Sequence, residues 1–370
     1  MKEQRHKRVI ISGGGTGGHI FPAISIANAL RVASPGIEIL FVGALGRMEM
    51  DKVPAAGYKI IGLPVAGLKR KRVWENYQVM VRLLKSVIMA RRIIREFKPD
   101  VVVGVGGYAS GPVLWVAGTK KIPVLIQEQN SFAGVTNRLL AKKASSICVA
   151  YSGMEKYFPK EKIILTGNPV RSTFSNLNTL IEEAYTYFGI AKGPTVVLVL
   201  GGSLGAGSIN KTVEVSSEAL HNNEIVWIWQ SGKNYYDRVS EVVSERNLSN
   251  IRVKSFIERM DLAYAAADII VSRSGAGTIS ELCLVGKPVI LVPSPNVAED
   301  HQTKNAMALT DKGAALMLKD SVVAQMLPGY VEELAKDNER RNVLSANIRK
   351  LALPDSDKII AEQILKLAGE

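Results

Sequence analysis

SRSGAGTISELCLVGKPVILVPSPNVAEDHQTKN, Ser272–Asn305, follows directly on the apolar run Asp268-Ile269-Ile270-Val271. The run reads as a β-strand, the small residues through Gly275 and Gly277 as a turn, and the stretch from Thr278 as a helix. A strand that passes through glycines into a helix leaves backbone N–H groups and the positive end of the helix dipole facing outward. Such a turn suits a phosphate. Glu281 lies three residues past Thr278, about one turn deeper on nearly the same face. A carboxylate repels phosphate but accepts hydrogen bonds from sugar hydroxyls such as those of ribose. An ordinary strand–helix turn with a solvated Glu281 has the same spacing, so this segment alone leaves both possibilities open.

Outward from that stretch, short β-rich runs alternate with helical patterns over the whole chain. They fall at 9–12, 37–42, 59–63, 101–105, 123–126, 146–149 and 162–165, then at 195–200, 225–229, 251–253, 268–271, 288–292 and 314–318. The alternation predicts parallel sheets covered by helices on both faces. The two halves begin alike, with Ile10-Ile11-Ser12-Gly13-Gly14 matched by Val199-Leu200-Gly201-Gly202-Ser203. At 370 residues the chain exceeds one typical domain. The expected fold is therefore α/β, with two Rossmann-like, doubly wound parallel-sheet domains. The first spans 1–167 and the second 168–355, joined at the turn Gly167-Asn168-Pro169-Val170-Arg171. Residues 172–190 read as a connecting helix, and 356–370 as a final helix packing back on the N-terminal domain.

Composition narrows the class. A hydrophobic fraction of 47% with 22% charged residues is that of a globular protein with substantial cores. The two cysteines, Cys148 and Cys283, both lie in apolar surroundings, which predicts buried, reduced thiols and excludes a disulfide framework or a four-cysteine zinc site. No run has signal-peptide or transmembrane character, so the chain is expected to be soluble or bound to a membrane face. The net charge of +13 is concentrated, with ten Lys/Arg against two acids over residues 65–98. Its head, Leu68-Lys69-Arg70-Lys71-Arg72-Val73-Trp74, mixes basic and apolar side chains, as an anionic lipid surface would favour. For most of residues 74–98 the expectation is a crossover helix whose apolar side (Tyr77, Met80, Val81, Leu84, Val87, Ile88) is core and whose basic residues are merely solvated. Nucleic acid is disfavoured as a partner, because neither aromatic interleaving nor a recognition motif accompanies the charge.

Three glycine loops follow strands. Gly13-Gly14-Gly15-Thr16-Gly17-Gly18-His19 contains GxGxxG, but the acid that a dinucleotide site needs at the end of the second strand is missing, since Val42 leads into Gly43-Ala44. Nicotinamide chemistry is thereby disfavoured. Gly104–Pro112 (GVGGYASGP) lets a ligand approach the backbone closely, and Gly201-Gly202-Ser203-Leu204-Gly205-Ala206 offers a hydroxyl at a helix start. None continues into Gly-Lys-Ser/Thr, so a P-loop is absent. His19 closes the first loop at the carboxyl edge of its strand, where open α/β sheets bind ligands, and imidazole can remove a proton near neutral pH. Gln127-Glu128-Gln129-Asn130-Ser131 follows the 123–126 strand with polar residues in place of a simple turn, which favours ligand contact there too.

Six motifs in order now carry a resemblance: GGTGGH (14–19), GVGGYASGP (104–112), EQNSFAG (128–134), GNPVR (167–171), GGSLGA (201–206) and SGAGTISE with DHQTKNA (274–281, 300–306). Together they resemble the MurG family of peptidoglycan N-acetylglucosaminyltransferases, in glycosyltransferase family 28, along both predicted domains. The resemblance implies the GT-B fold, with the two domains facing each other across a cleft. It implies UDP-GlcNAc as donor, bound mainly by the C-terminal domain, and lipid I as acceptor, bound by the N-terminal one. It further implies inverting transfer giving lipid II, no metal and no cofactor. The expected location is the cytoplasmic face of the inner membrane, held peripherally through the patch near Leu68–Trp74, with other cell-wall enzymes as possible neighbours.

Carried onto this sequence, the family pattern puts Thr16, Gly17 and Gly18 toward donor and acceptor, Asn130 on the donor sugar and Arg171 on the donor. Ser203 would contact the diphosphate and Ile257 would pin uracil through its backbone. Ala276, Gly277, Thr278, Ile279 and Ser280 would line the diphosphate, Glu281 would bind ribose, and Gln302 with Asn305 would meet the GlcNAc hydroxyls. The sequence departs from the pattern at Gly277, where relatives can carry a bulkier residue, and over Pro293–Glu299. Departure of UDP develops negative charge that no Asp-x-Asp metal motif is placed to neutralise, leaving the helix start at Ala276–Ser280 to do so. Attack by the MurNAc C4 hydroxyl needs one base, His19 first and Glu128 second, and no carboxylate nucleophile. Two rivals remain open: a UDP-GlcNAc 2-epimerase of the same architecture, and a basic nucleic-acid-binding protein.

Overall fold

The computed structural model describes residues 6–65, 76–170, 177–202, 205–222, 224–297 and 300–369. Each of the thirteen β-rich runs contains a strand. β1 (Arg8–Ser12), β2 (Glu38–Ala44), β3 (Lys59–Leu63), β4 (Val101–Gly104), β5 (Val124–Glu128), β6 (Ser146–Val149) and β7 (Ile163–Leu165) form one sheet in the order β3-β2-β1-β4-β5-β6-β7. β8 (Thr195–Leu200), β9 (Ile225–Gln230), β10 (Ile251–Lys254), β11 (Ile269–Ser272), β12 (Val289–Leu291) and β13 (Leu316–Met317) form a second, ordered β10-β9-β8-β11-β12-β13. Every pairing is parallel. Parallel strands covered on both faces carry unbroken apolar runs, and β4, β6, β11 and β12 are buried at every position. Strand order reverses beside β1 and β4 in the first sheet and beside β8 and β11 in the second, which creates one crevice per sheet at the strand C-termini.

The chain divides into two compact units, Met1–Val170 with Pro354–Glu370, and Arg171–Leu353. In the first, the helix Gly17–Ala33 buries Ile20, Ala23, Ile26, Ala27 and Leu30, at helical spacing, against Val9, Ile11, Val101 and Val103. The helix Ser356–Leu367 adds Ile360, Ala361, Ile364 and Leu365 to that same cluster, and Lys7 Nζ donates to Ala368 O at 2.7 Å. Each fully buried Ile or Leu contributes roughly 1.5–3 kcal/mol, so three of them hold the helix firmly. The second unit is centred on Trp227 and Trp229 of β9, with Trp229 Nε1 donating to Asn210 Oδ1 at 2.9 Å. The two cysteines are free and buried, and burial pushes both thiols up to about 12.

Two expectations need correction. Over the described part of 172–190 the connecting segment is a 3-10 turn at Leu177–Leu180 followed by an α-helix at Ile181–Phe188 that stops before 190; residues 172–176 lie outside the described residues. More consequentially, most of the side of the helix Asn76–Phe97 expected as core is exposed, although Val87 of that side does pack against the core. Ser86, Ala90, Ile93 and Ile94 face inward, whereas Tyr77, Met80, Leu83, Leu84 and Ile88 are exposed. Tyr77 is 76% exposed and Ile88 65%, values that a core stripe excludes. The inward positions hold smaller or later residues of the helix, which a simple apolar count could not separate from the outer stripe. The predicted patch at Leu68–Trp74 lies outside the described residues.

Candidate active site

In the first unit three loops leave the C-terminal ends of the adjacent strands β1, β4 and β5 and lock together. Gly14 N–H donates to Gly106 O at 3.3 Å, and a Cβ on Gly107 would stand 2.3 Å from Gly14 O, so only glycine permits the approach. Gln129 Nε2 donates to Val105 O at 2.7 Å and also to Gln127 Oε1. Gln127 Nε2 donates to Asn168 Oδ1 at 3.0 Å, and Asn168 Nδ2 to Gln129 O at 3.0 Å. One backbone bond from the β1 loop and buried polar side chains on the β5 loop thus tie the three loops, and the turn at Asn168, into one floor.

His19 stands at this floor, half-buried, on the first turn of the helix Gly17–Ala33, while Thr16, its N-cap, is exposed. Thr16 Oγ1 lies 3.2 Å from His19 Nδ1, and His19 N–H donates to Thr16 O at 3.1 Å. The other edge of the ring faces Gly106, where a Cβ would sit 2.9 Å from His19 Nε2. One ring nitrogen is therefore oriented by Thr16 while the other lies over the glycine of the neighbouring loop.

Glu128, the second candidate base, is differently occupied. It is the last residue of β5 rather than part of a loop, and it is 1% exposed. Its Oε1 accepts from Asn130 N at 3.1 Å and Asn130 Nδ2 at 3.3 Å, and its Oε2 from Gly134 N at 3.0 Å and Asn137 Nδ2 at 2.8 Å. Burial pushes this carboxyl up from its ordinary value, and the donors on Asn130, Asn137 and Gly134 pull it back down. These four hydrogen bonds shape the 129–134 loop and orient half-buried Asn130.

In the second unit β11 ends at Ser272 and the helix Ala276–Val285 begins after Gly275, which caps it in extended geometry with no side chain to offer. Its far end closes on Gly286 in the left-handed region, followed two residues later by Pro288. Ala276, Gly277 and Thr278 form the first turn, whose N–H groups precede any intrahelical partner. Ile279 N–H donates to Gly275 O at 2.9 Å and its side chain is core, while Ser280 Oγ donates back to Ala276 O at 3.2 Å. The outward-facing part of 276–280 is thus its first three residues, and Ile279 is withdrawn from it. Glu281 is half-buried and accepts from Tyr264 Oη at 3.3 Å. Burial, and after it the Glu281 charge, holds the Tyr264 hydroxyl well above the usual tyrosine range, so it stays a donor that orients Glu281.

The helix His301–Thr310 braces this turn from behind. Ser274 Oγ donates to Gln302 O at 2.8 Å, and Gln302 Oε1 accepts from Ser294 N at 2.8 Å. Asn305 is 1% exposed and sends Nδ2 to Ser274 O at 3.4 Å, so it supports the loop and does not face outward. Ile257 is buried and its N–H is taken by Gln230 Oε1 at 3.0 Å. Arg171 and Ser203 lie outside the described residues. Tyr264, Gln230 and Asn137 escape the sequence analysis, and only Tyr264, a lone aromatic among alanines in 262–267, left a signal there.

Two parallel Rossmann-like sheets with glycine turns at both reversal points are the architecture of GT-B glycosyltransferases. Residues 9–149 match the N-terminal domain of glycosyltransferase family 28 and residues 196–360 its C-terminal domain. The chain belongs to glycosyltransferase family 28. A Parabacteroides distasonis protein described as UDP-N-acetylglucosamine--N-acetylmuramyl-(pentapeptide) pyrophosphoryl-undecaprenol N-acetylglucosamine transferase is 55% identical, covering 98% of this chain and 99% of its own length. A protein of the same description from Bacteroides thetaiotaomicron is 55% identical, covering 99% of both. The crystal structure of Acinetobacter baumannii MurG superposes with a TM-score of 0.79 at 29% identity, over 97% of this chain and 99% of that one. A UDP-N-acetylglucosamine 2-epimerase structure, at 13% identity and a TM-score of 0.63, shares the fold.

Proposed function

We propose that this chain transfers N-acetylglucosamine from UDP-GlcNAc to the C4 hydroxyl of MurNAc in undecaprenyl-pyrophosphoryl-MurNAc-peptide (lipid I), with inversion at the sugar, to give lipid II. The observation that carries the reading is 55% identity, end to end, to proteins described by that reaction. The first unit takes the acceptor and the second the donor. His19 acts as the base through Nε2, with its Nδ1–H donated to Thr16 Oγ1, the tautomer that leaves a lone pair for the incoming hydroxyl. Asn130, fixed by Glu128, meets the donor sugar.

Donor binding centres on the turn after β11. The first-turn N–H groups of Gly277 and Thr278 face the diphosphate, and Glu281, steadied by Tyr264, accepts from the ribose hydroxyls. Negative charge growing on UDP meets the positive helix end, equivalent to about half an elementary charge. Ile257 is suited to meet uracil through its carbonyl, since its N–H already donates to Gln230. Gln302 has its amide Nε2 to offer GlcNAc hydroxyls, its Oε1 accepting from Ser294. Arg171 and Ser203 complete the donor set on the strength of the family motif alone.

The chain works peripherally at the cytoplasmic face of the inner membrane. No described helix is long and apolar enough to cross a bilayer. The exposed side chains Tyr77, Met80, Leu84 and Ile88 lie on a helix that also carries Arg82, Lys85, Arg91 and Arg92, and that follows Leu68–Trp74 in the sequence.

Incubation with UDP-GlcNAc and a lipid-linked MurNAc-peptide, in the presence of EDTA, should release UDP and form a β-linked disaccharide. His19→Ala should cut turnover by about 10²–10⁴-fold with donor affinity kept. Formation of UDP-ManNAc without acceptor would instead indicate the epimerase, and loss of activity with EDTA would refute leaving-group stabilisation by the helix alone.

A further inference from the structure

We infer that Glu49 is a positioning residue for His19, a carboxyl built into the glycine turn after β1 that takes the donors a phosphate would otherwise take. The inference rests on His19 being the base. Glu49 opens the helix Glu49–Ala55, five residues past the end of β2, and is fully buried. Its hydrogen-bond partners in the structure are backbone N–H groups from two loops. Gly15 N–H donates to Oε1 at 3.1 Å and to Oε2 at 3.0 Å, and Ala44 N–H donates to Oε1 at 2.9 Å.

Two glycines make room for it. A Cβ on Gly14 would stand 2.0 Å from Glu49 Oε1, and one on Gly43 would stand 2.6 Å from its Cγ. Both glycines belong to the segment that resembles a dinucleotide fingerprint lacking its acid. An acid is present after all, but it grips the loop instead of a ribose. The Gly15 N–H, which in a phosphate loop would meet the ligand, already donates to the chain's own carboxyl. The first glycine turn is therefore closed to a diphosphate at Gly15, and its task passes to the residues that follow.

Those residues are Thr16 and His19. Gly15 directly precedes Thr16, which caps the helix and whose Oγ1 lies 3.2 Å from His19 Nδ1. The route from Glu49 to the imidazole is thus one backbone N–H, one peptide unit and one hydroxyl. Both carboxylate oxygens accept from the Gly15 N–H and one also from the Ala44 N–H, whereas an amide would turn an N–H₂ group onto the Gly15 N–H. Glu49→Gln should let the turn and Thr16 relax, so that Nδ1 loses its fixed partner and His19 samples both tautomers. A displacement of that kind near reacting atoms costs about 100-fold in turnover.

The test measures kcat and acceptor KM with UDP-GlcNAc and a lipid-linked MurNAc-peptide, together with UDP-GlcNAc affinity and the imidazole 15N spectrum. The chain has four histidines, few enough to assign. For Glu49→Gln we expect kcat about 100-fold lower, donor affinity within about two-fold of wild type, and mixed His19 tautomers with the other three rings unchanged. Glu49→Asp, which keeps the charge but cannot reach both loops, should fall in between, and it carries the test alone if the glutamine variant fails to fold. Lower thermal stability with unchanged kcat and a single His19 tautomer would overturn the inference and leave Glu49 a packing residue. Turnover retained by His19→Ala would refute the base assignment itself, whereas an inactive His19→Ala beside a fully active Glu49→Gln refutes only the role of Glu49.

Discussion

Gly277 and Gly14 occupy similar-looking turns yet are glycines for different reasons. A Cβ on Gly14 would overlap the Glu49 carboxyl, whereas one on Gly277 meets nothing within 4 Å. The departure from the family pattern at 277 is therefore a free choice of side chain, not a requirement of a tight turn. Gly277→Ala should be accommodated, and in the first helical turn it should raise stability by about 0.5–1 kcal/mol through the smaller entropy of the unfolded chain. Urea midpoints and turnover measured together check this. Unchanged or lower stability would mean that the turn needs glycine after all, and lost UDP binding would mean that the Cβ meets the donor. Residues of this kind mark the limit of sequence analysis. His19 and Glu281 stood out as candidates because each lies in the early part of a helix that follows a strand and a glycine turn. Glu49 did not, since it belongs to neither of the two loops it joins, and Glu128 showed its acidity but not the four donors that occupy it.

Elements were more legible than residues, because parallel strands announce themselves as unbroken apolar runs and turns as glycine clusters. All thirteen runs contain strands, with ends displaced where polar residues continue the ladder, as Gln127 and Glu128 do in β5. The helix Asn76–Phe97 is the instructive exception. Apolar spacing alone cannot say which of two apolar faces turns inward, and here the inner face packs on β-sheet residues through Ala90, Ile93 and Ile94. The outer face is left to Tyr77, Met80, Leu84 and Ile88 among basic residues. Replacing Leu84 and Ile88 together by Glu should leave stability within about 0.5 kcal/mol, as expected for exposed positions, yet weaken binding to anionic vesicles by at least about ten-fold. Sedimentation with vesicles of mixed anionic and zwitterionic lipid measures this. Equal binding by the variant would return the stripe to ordinary solvent exposure.

For the whole molecule, two sheets of one plan are joined in a single chain, and the glycine turns of each sit at the reversal of its strand order. The first unit is completed by the helix Ser356–Leu367, from the opposite end of the sequence. Ile364→Ala should cost about 2–5 kcal/mol, because Ile364 is fully buried against the helix Gly17–Ala33. Thermal unfolding should show the loss, and UDP binding by the folded protein at low temperature should persist. A shift under about 0.5 kcal/mol would mean that the terminal helix is dispensable. The arrangement also has a consequence for synthesis. Translation delivers Gly17–Ala33 long before its packing partner Ser356–Leu367, so the nascent N-terminal sheet must wait, one apolar flank uncovered, until the whole second unit has been made and that helix has emerged.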